Sequence, residues 1–164
     1  MMSTKTMNYL IDIQNATEKI LPMSDEEIRD CVSLVLKNEK SKAELTIRLV
    51  NSDEMIHLNT TYRHQNKTTN VLAFPSKLPN VVELEHPFLG DIIICHQVLL
   101  EESQQLNKSL KSHWTLILIH GVLHLLGYDH IKDEDTAMMQ AKEIELLQTM
   151  GYNNPYDTKD NNLE

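Results

Sequence analysis

Three histidines in the second half of the chain are spaced as the ligands of a metal ion. His120 and His124 are one helical turn apart, so both side chains can point to one face of a helix. Gly127 can adopt the left-handed conformation that ends a helix and turns the chain, which brings His130 round to the same point. Three neutral imidazoles leave the fourth position of tetrahedral zinc free for water or substrate. The spacing therefore predicts one zinc ion per chain, and other divalent transition metals also suit imidazole ligands.

The same spacing occurs in the metzincin proteases, whose signature is H-E-x-x-H-x-x-G-x-x-H. The chain matches this signature at every position but one, where Gly121 stands in place of the glutamate that activates water. Without that general base, the protease mechanism loses its central acid–base step. A zinc metalloprotease-like hydrolase is therefore the weaker interpretation of the histidine spacing.

The composition is typical of a globular protein in a reducing compartment. Of the 164 residues, 41% are hydrophobic and 24% are charged. No apolar run approaches the roughly 20 residues that span a membrane, and the N-terminus lacks the apolar core of a signal peptide. We therefore expect a cytoplasmic protein without a membrane partner, in which Cys31 and Cys95 are buried reduced thiols.

The net charge of −9 argues against a protein that binds nucleic acid through its overall charge. Much of the negative charge, including that of Glu143, is expected on solvated faces. A protein of this charge would need a local basic groove or protein partners to bind nucleic acid.

The periodicity of apolar residues predicts an α+β fold, in which a small mixed four-stranded sheet is covered by helices. Strands are expected at 8–13, 43–50, 71–74 and 89–95, and the last is expected to be central because it has no polar face. Helices are expected from a capping box at Ser24 to about 37, from a cap at Ser52 to about 62, and over 96–106, 113–126 and 133–150.

The helix at 113–126 and the turn at Gly127 would carry the metal ligands. Asp133 is expected to cap the last helix, which would bury Ala137, Met138, Ala141, Ile144 and Leu147. A single domain is predicted over 1–152, followed by a polar, disordered tail at 153–164.

Four segments resemble the motifs of one protein family. Residues 120–130 read HGVLHLLGYDH and are similar to the H-G-x-L-H-L-x-G-Y-D-H signature of the YbeY family, which are bacterial metal-dependent endoribonucleases of ribosomal RNA maturation. The segments LNTTYR at 58–63, TNVLAFP at 69–75 and LGDI at 89–92 resemble the family motifs L-N-x-x-Y-R, T-[DN]-V-L-S-F-P and L-G-D-I, in the same order. The chain departs from the family at Ala73, where serine is usual, so any role of that hydroxyl is absent.

The resemblance implies a single-strand-specific endoribonuclease that acts in 3′-end maturation of 16S ribosomal RNA and in ribosome quality control. It implies the small ribosomal subunit and its assembly factors as partners, and a small mixed sheet with helices. It also implies that His120, His124 and His130 bind the metal, with His120 and Arg63 acting in catalysis. A non-catalytic ribosome assembly factor is an alternative, although structural zinc usually has four protein ligands.

Arg63 suits a role on RNA because a guanidinium can bind a phosphate through two parallel hydrogen bonds. An ordinary surface arginine at a helix C-terminus is the alternative. His64 and Lys67 lie beside it and are further candidate RNA contacts. Asp129 and Asp91 are candidate acceptors behind the ligands, with a turn cap and a structural acceptor as their respective alternatives. The histidines expected at the surface or as caps are His57, His86, His96 and His113.

Overall fold

The computed structural model describes residues 8–77, 87–129 and 131–157. The helices and strands, in chain order, are β1 (Tyr9–Asn15), α1 (Asp25–Leu36), β2 (Ala43–Val50), α2 (Ser52–Arg63), β3 (Val71–Pro75), β4 (Phe88–Cys95), α3 (His96–Gln105), α4 (Leu110–Leu125) and α5 (Asp133–Thr149). Across these described ranges, none of the helices combines the length and the apolar character that a membrane crossing requires.

The strands form one mixed sheet in the order β1-β2-β4-β3. Strands β1, β2 and β4 are parallel, and β3 pairs antiparallel with β4. The predicted mixed four-stranded sheet and the central position of its most apolar strand are both confirmed. Strand β3 is an edge strand, so one side of its backbone is left for contacts other than sheet pairing.

The two faces of the sheet are covered by different helices. A large core cluster joins one face to α1, α3, α4 and α5, and it contains Cys31. A smaller cluster joins the opposite face to α2, and it contains Cys95. Both cysteines are free and buried, as predicted. Because α2 and α4 lie on opposite faces, residues from both can meet only around the edge of the sheet.

The N-cap of α1 is the predicted residue, whereas the N-cap of α2 lies one residue earlier than predicted. The capping box at Ser24 is confirmed: its side chain accepts from the Glu27 N–H, and the Glu27 carboxylate accepts from the Ser24 N–H. Helix α2 is capped by Asn51 and not by Ser52, because the Asn51 side chain reaches the N–H three residues ahead.

The two C-terminal helices begin differently from the prediction. Helix α4 starts at Leu110, before the predicted residue 113, because the Ser109 side chain caps it. The predicted cap at Asp133 is wrong: Asp133 is the first helical residue and Lys132 is the N-cap, without a side-chain hydrogen bond. An acidic residue in the first turn still favours the helix, because it faces the positive end of the helix dipole.

The buried face of α5 was predicted correctly at Leu147, which is buried, but not in the first half of the helix. Met138 is 62% exposed, and Ala137 and Ala141 are exposed as well. The buried side chains are those of Met139, Glu143, Leu146 and Leu147. The expected solvation of Glu143 is therefore also wrong, because this carboxylate is only 1% exposed. Because the buried face of α5 contains a glutamate, the pattern of apolar residues alone did not indicate which face of this helix is buried.

The chain continues in contact with the folded core beyond the predicted end of the domain. Residues 153–157 are described, and Lys108 donates a hydrogen bond from Nζ to the Pro155 carbonyl. The predicted domain boundary at residue 152 stays a prediction, and residues 158–164 of the predicted tail lie outside the described residues.

Two histidines predicted at the surface are buried. The Nδ1 atom of His96 accepts from the Trp114 indole at 3.1 Å, and His113 Nε2 lies 2.8 Å from a Glu102 carboxylate oxygen. Burial and the charge of Lys19 lower the pKa of His96. The spacing of residues along the sequence could not reveal these two contacts, because each joins a residue of α3 to a residue of α4.

Candidate metal and phosphate site

A glycine turn ends α4 directly after the second histidine. Gly127 has φ +104°, its N–H donates to the His124 carbonyl at 3.0 Å, and the Tyr128 N–H donates to the Leu123 carbonyl at 3.0 Å. These two bonds form the helix-ending motif that needs a left-handed residue. The predicted role of Gly127 is therefore confirmed. The third predicted ligand, His130, lies outside the described residues.

The two helical histidines converge on one point. Their Nε2 atoms are 3.1 Å apart, and their rings lie at 78° with centroids 4.6 Å apart. Two nitrogens at about 2.1 Å from a tetrahedral zinc ion would be separated by roughly 3.4 Å. The spacing and chemistry of His120 and His124 therefore fit two ligand positions on one transition-metal ion.

A buried carboxylate lies behind the first histidine. The Nδ1 atom of His120 is 2.6 Å from Oε2 of Glu143, and the other carboxylate oxygen accepts a hydrogen bond from the Tyr156 hydroxyl. Burial, followed by the Glu143 hydrogen bond and charge, raises the pKa of Tyr156, so this phenol stays protonated. Sequence reasoning missed both residues because nothing in their local spacing links them to the histidines.

The functional arginine predicted from the family resemblance reaches across the edge of the sheet. Arg63 is the last residue of α2, which ends because His64 adopts the left-handed conformation at φ +59°. The guanidinium donates from Nη2 to the Ala73 carbonyl at 3.1 Å, and its central carbon lies 5.0 Å from the centroid of the Phe74 ring. A cation over an aromatic face is attracted to the ring, which helps hold the side chain in place.

Arg63 and the histidine pair line the same cleft. Its volume is about 420 Å³, and strand β3 forms the side between α2 and α4. The lining residues are Arg63, Thr69, Asn70, Val71, Leu72, Ala73, His120, Gly121 and His124. The structure thus brings together two groups of predicted residues from distant parts of the chain.

The candidate RNA contacts beside Arg63 lie in an exposed loop. His64 and Lys67 are both exposed, and neither is among the residues that line the cleft. The loop is held by Asn59, which is 3% exposed and donates from Nδ2 to the Lys67 carbonyl at 2.9 Å. The asparagine of the L-N-x-x-Y-R segment therefore supports the loop that follows Arg63.

The two candidate aspartates occupy different places. Asp91 alternates along β4 with Ile92, which faces α4, so its side chain lies on the α2 face. Burial raises the pKa of Asp91, and a hydrogen bond from Thr46 acts in the opposite direction. Asp91 is thus separated from the histidine pair by the sheet, which favours the structural alternative. Asp129 is half-buried beyond the Gly127 turn, directly before His130.

The glycine that replaces the protease glutamate packs against the sheet. A Cβ atom added to Gly121 would lie 2.9 Å from Cγ2 of Ile92, which is closer than van der Waals contact. A side chain at position 121 would therefore point towards β4 and overlap Ile92. This geometry gives the glycine a packing role and counts further against a protease.

The protein is therefore a small α+β protein with a cleft at the edge of its sheet, and a histidine pair and an arginine line this cleft. The family model for Endoribonuclease YbeY matches residues 11–151, and the chain belongs to this family. The family resemblance seen in the sequence is thereby confirmed.

Individual relatives agree with this assignment. Proteins named Endoribonuclease YbeY from Legionella pneumophila strains Corby and Lens are each 61% identical over 158 residues, which are 96% of this chain and 100% of theirs. The solution structure of TM1509 from Thermotoga maritima has a TM-score of 0.59 at 25% identity, with 92% of this chain and 97% of that chain covered. The chain is therefore similar to these relatives over nearly its whole length.

Proposed function

We propose that this protein is a single-strand-specific, metal-dependent endoribonuclease that acts in 3′-end maturation of 16S ribosomal RNA and in ribosome quality control. The proposal includes a cytoplasmic location and the small ribosomal subunit and its assembly factors as partners. Membership of the Endoribonuclease YbeY family supports an RNA substrate. The observation that carries the proposal is that Arg63, His120 and His124 line one cleft.

The histidines would hold the metal ion. His120, His124 and His130 supply three neutral nitrogen ligands, the donor set that zinc and similar ions prefer. A bound zinc ion would supply Lewis acidity and lower the pKa of a coordinated water to about 7. His120 and His124 belong to a well-packed helix, so their contribution to this site is rigid.

Arg63 would hold the scissile phosphate. Among the described residues it forms no ion pair, and its hydrogen bond to Ala73 uses one donor on a neutral acceptor. The remaining guanidinium donors can bind two phosphate oxygens and stabilise the negative charge that develops during cleavage. The arginine and the metal ligands would thus act on one phosphate from opposite sides of the cleft.

The local charge of the cleft differs from that of the whole chain. None of the residues that line it, within the described ranges, is acidic, although the chain carries a net charge of −9. Nearby exposed Lys67 and the Arg63 side chain provide positive charge at this position. This distribution supports RNA binding at the cleft in an acidic protein.

The proposal is tested with matched single-stranded and duplex RNA oligonucleotides. We expect cleavage of the single strand only, loss of cleavage after exhaustive chelation, and recovery when zinc or manganese is returned. His124→Ala should abolish cleavage and metal binding, whereas His57→Ala, which alters an exposed histidine on α2, should do neither. Cleavage at the wild-type rate by His124→Ala would contradict the proposal. Ribosome binding without cleavage under any metal would favour a non-catalytic assembly factor.

A further inference from the structure

Glu143 is a buried charge whose two oxygens are both used. One oxygen contacts His120 Nδ1 at 2.6 Å and the other accepts from the Tyr156 hydroxyl, while the side chain is 1% exposed. Burying an ionised carboxylate is costly unless donors compensate for the lost water. The two contacts provide that compensation, and they place the charge directly behind a candidate metal ligand.

The position of the carboxylate bears on which nitrogen of His120 carries hydrogen, because it lies 2.6 Å from Nδ1. The 2.6 Å contact favours the His120 tautomer in which Nδ1 donates, because an ionised carboxylate only accepts hydrogen bonds. The lone pair of the neutral ring then lies on Nε2, which is the atom that faces His124 Nε2 at 3.1 Å. The atom needed for metal binding is therefore left as an acceptor.

Tyr156 reaches Glu143 from the segment that follows α5. The Lys108 ammonium holds this segment through the Pro155 carbonyl, and the Tyr156 N–H donates to the Asn154 side chain at 2.8 Å. These contacts fix the phenol over the end of the carboxylate that does not face His120. The segment after Gly151 thereby becomes part of the surroundings of the metal site.

We propose that Glu143 and Tyr156 are positioning residues that hold His120 in the tautomer and orientation required for metal binding. The inference rests on the proposed metal site and adds two residues to it. Neither side chain needs to touch the metal or RNA. Their effect would be exerted through the ring of His120.

Glu143→Gln tests the carboxylate. A glutamine amide can donate to Nδ1 and thereby move the ring hydrogen to Nε2, where it blocks metal binding. We expect zinc affinity, measured by competition with a chromogenic chelator, to fall about 10–100-fold. Long-range ¹H–¹⁵N spectra of the metal-free protein should show Nδ1–H on His120 in the wild type and a change of tautomer in the variant. The matched control is Glu145→Gln on the same helix, whose side chain is 67% exposed.

Tyr156→Phe tests the hydroxyl while it keeps the carboxylate, and it remains informative if Glu143→Gln does not fold. We expect a smaller loss of zinc affinity, below about tenfold, with an unchanged circular dichroism spectrum. The inference is overturned if the folded variants bind zinc within twofold of the wild type and keep its tautomer. A wild-type protein that binds no zinc or other transition metal would instead refute the proposed function, while the tautomer spectra would still test the role of Glu143.

Discussion

The guanidinium of Arg63 donates a hydrogen bond from Nη2 to the carbonyl oxygen of Ala73 at 3.1 Å, across the free edge of β3. This contact carries a residue from the α2 face of the sheet into a cleft that also contains His120 and His124. The edge strand is thus the element that joins the candidate phosphate site to the candidate metal site. The arginine is bound by the backbone carbonyl of Ala73, so this contact does not require a hydroxyl group on the side chain at position 73.

Replacement of Arg63 should separate phosphate binding from metal binding. We expect Arg63→Ala to lower the single-turnover cleavage rate by about 10²–10³-fold, because a preorganised donor to the developing charge is lost. Arg63→Lys should recover only part of the rate, because an ammonium cannot form the same paired hydrogen bonds. Zinc affinity and the melting temperature should stay close to wild type. Arg29→Ala, an exposed arginine on α1, is the control, and a wild-type rate in Arg63→Ala would refute the role.

Asp91 should have no influence on the metal ion. Its side chain lies on the opposite side of the sheet from the histidine pair and bonds to Thr46. We therefore expect Asp91→Asn to leave zinc affinity within about twofold of wild type, unlike the loss expected for a carboxylate that contacts a ligand. A tenfold or greater loss in the chelator competition assay would show that the sheet does not isolate this residue.

Gly121 should be required for the close approach of α4 to the sheet. We expect Gly121→Ala to lower the free energy of unfolding by about 1–3 kcal/mol, because the new methyl group would overlap Ile92. In an Ile92→Ala background the same change should be neutral or stabilising, because alanine is favoured over glycine in a helix by about 1 kcal/mol. Urea unfolding of the four proteins measures the coupling. An equal effect in both backgrounds would show that the Ile92 contact is not the cause.

Cys31 should make the stability of the protein fall at alkaline pH. Burial raises the pKa of this thiol to about 12, so the native state keeps its proton where the unfolded chain releases it. The stabilisation is complete below the unfolded pKa of about 8.5 and is lost as pH rises towards the native value, with a slope of up to about 1.4 kcal/mol per pH unit.

The measurement compares urea unfolding of the wild type and Cys31→Ala from about pH 8 to about pH 11. The variant removes the thiol and leaves every other titrating group in place. Its stability should therefore fall less steeply with pH, even if loss of the packing of the sulfur atom lowers its stability throughout. Parallel curves for the two proteins would contradict the prediction.

Most of the features predicted correctly are governed by short-range geometry. The helical repeat places His120 beside His124, and a glycine is required where the chain turns left-handed at Gly127. The capping box at Ser24 depends on atoms three residues apart. The apolar character of 89–95 likewise indicated a central strand, because both of its faces must be covered.

Apart from the helix starts, which differ from the prediction by one to three residues, the errors arose where a polar group is buried against a distant partner. Glu143 appeared solvated because its charge offers no sign of the histidine and the tyrosine that satisfy it. The position of Asp91 was also open, because only its register in β4 shows on which face of the sheet its side chain lies. For Glu143, the usual preference of a carboxylate for solvent was overridden by specific long-range contacts.

The ligand spacing, the helix-ending turn, the class of fold and the family could all be recognised from the order of residues, because each depends on local geometry or on short motifs. The three-dimensional packing was needed to see that Arg63 shares a cleft with His120 and His124, and that Glu143 and Tyr156 lie behind His120. These relationships depend on how α2, α4 and α5 pack around the sheet. Residue spacing along the chain does not specify that packing, because it is set by the burial of many side chains together.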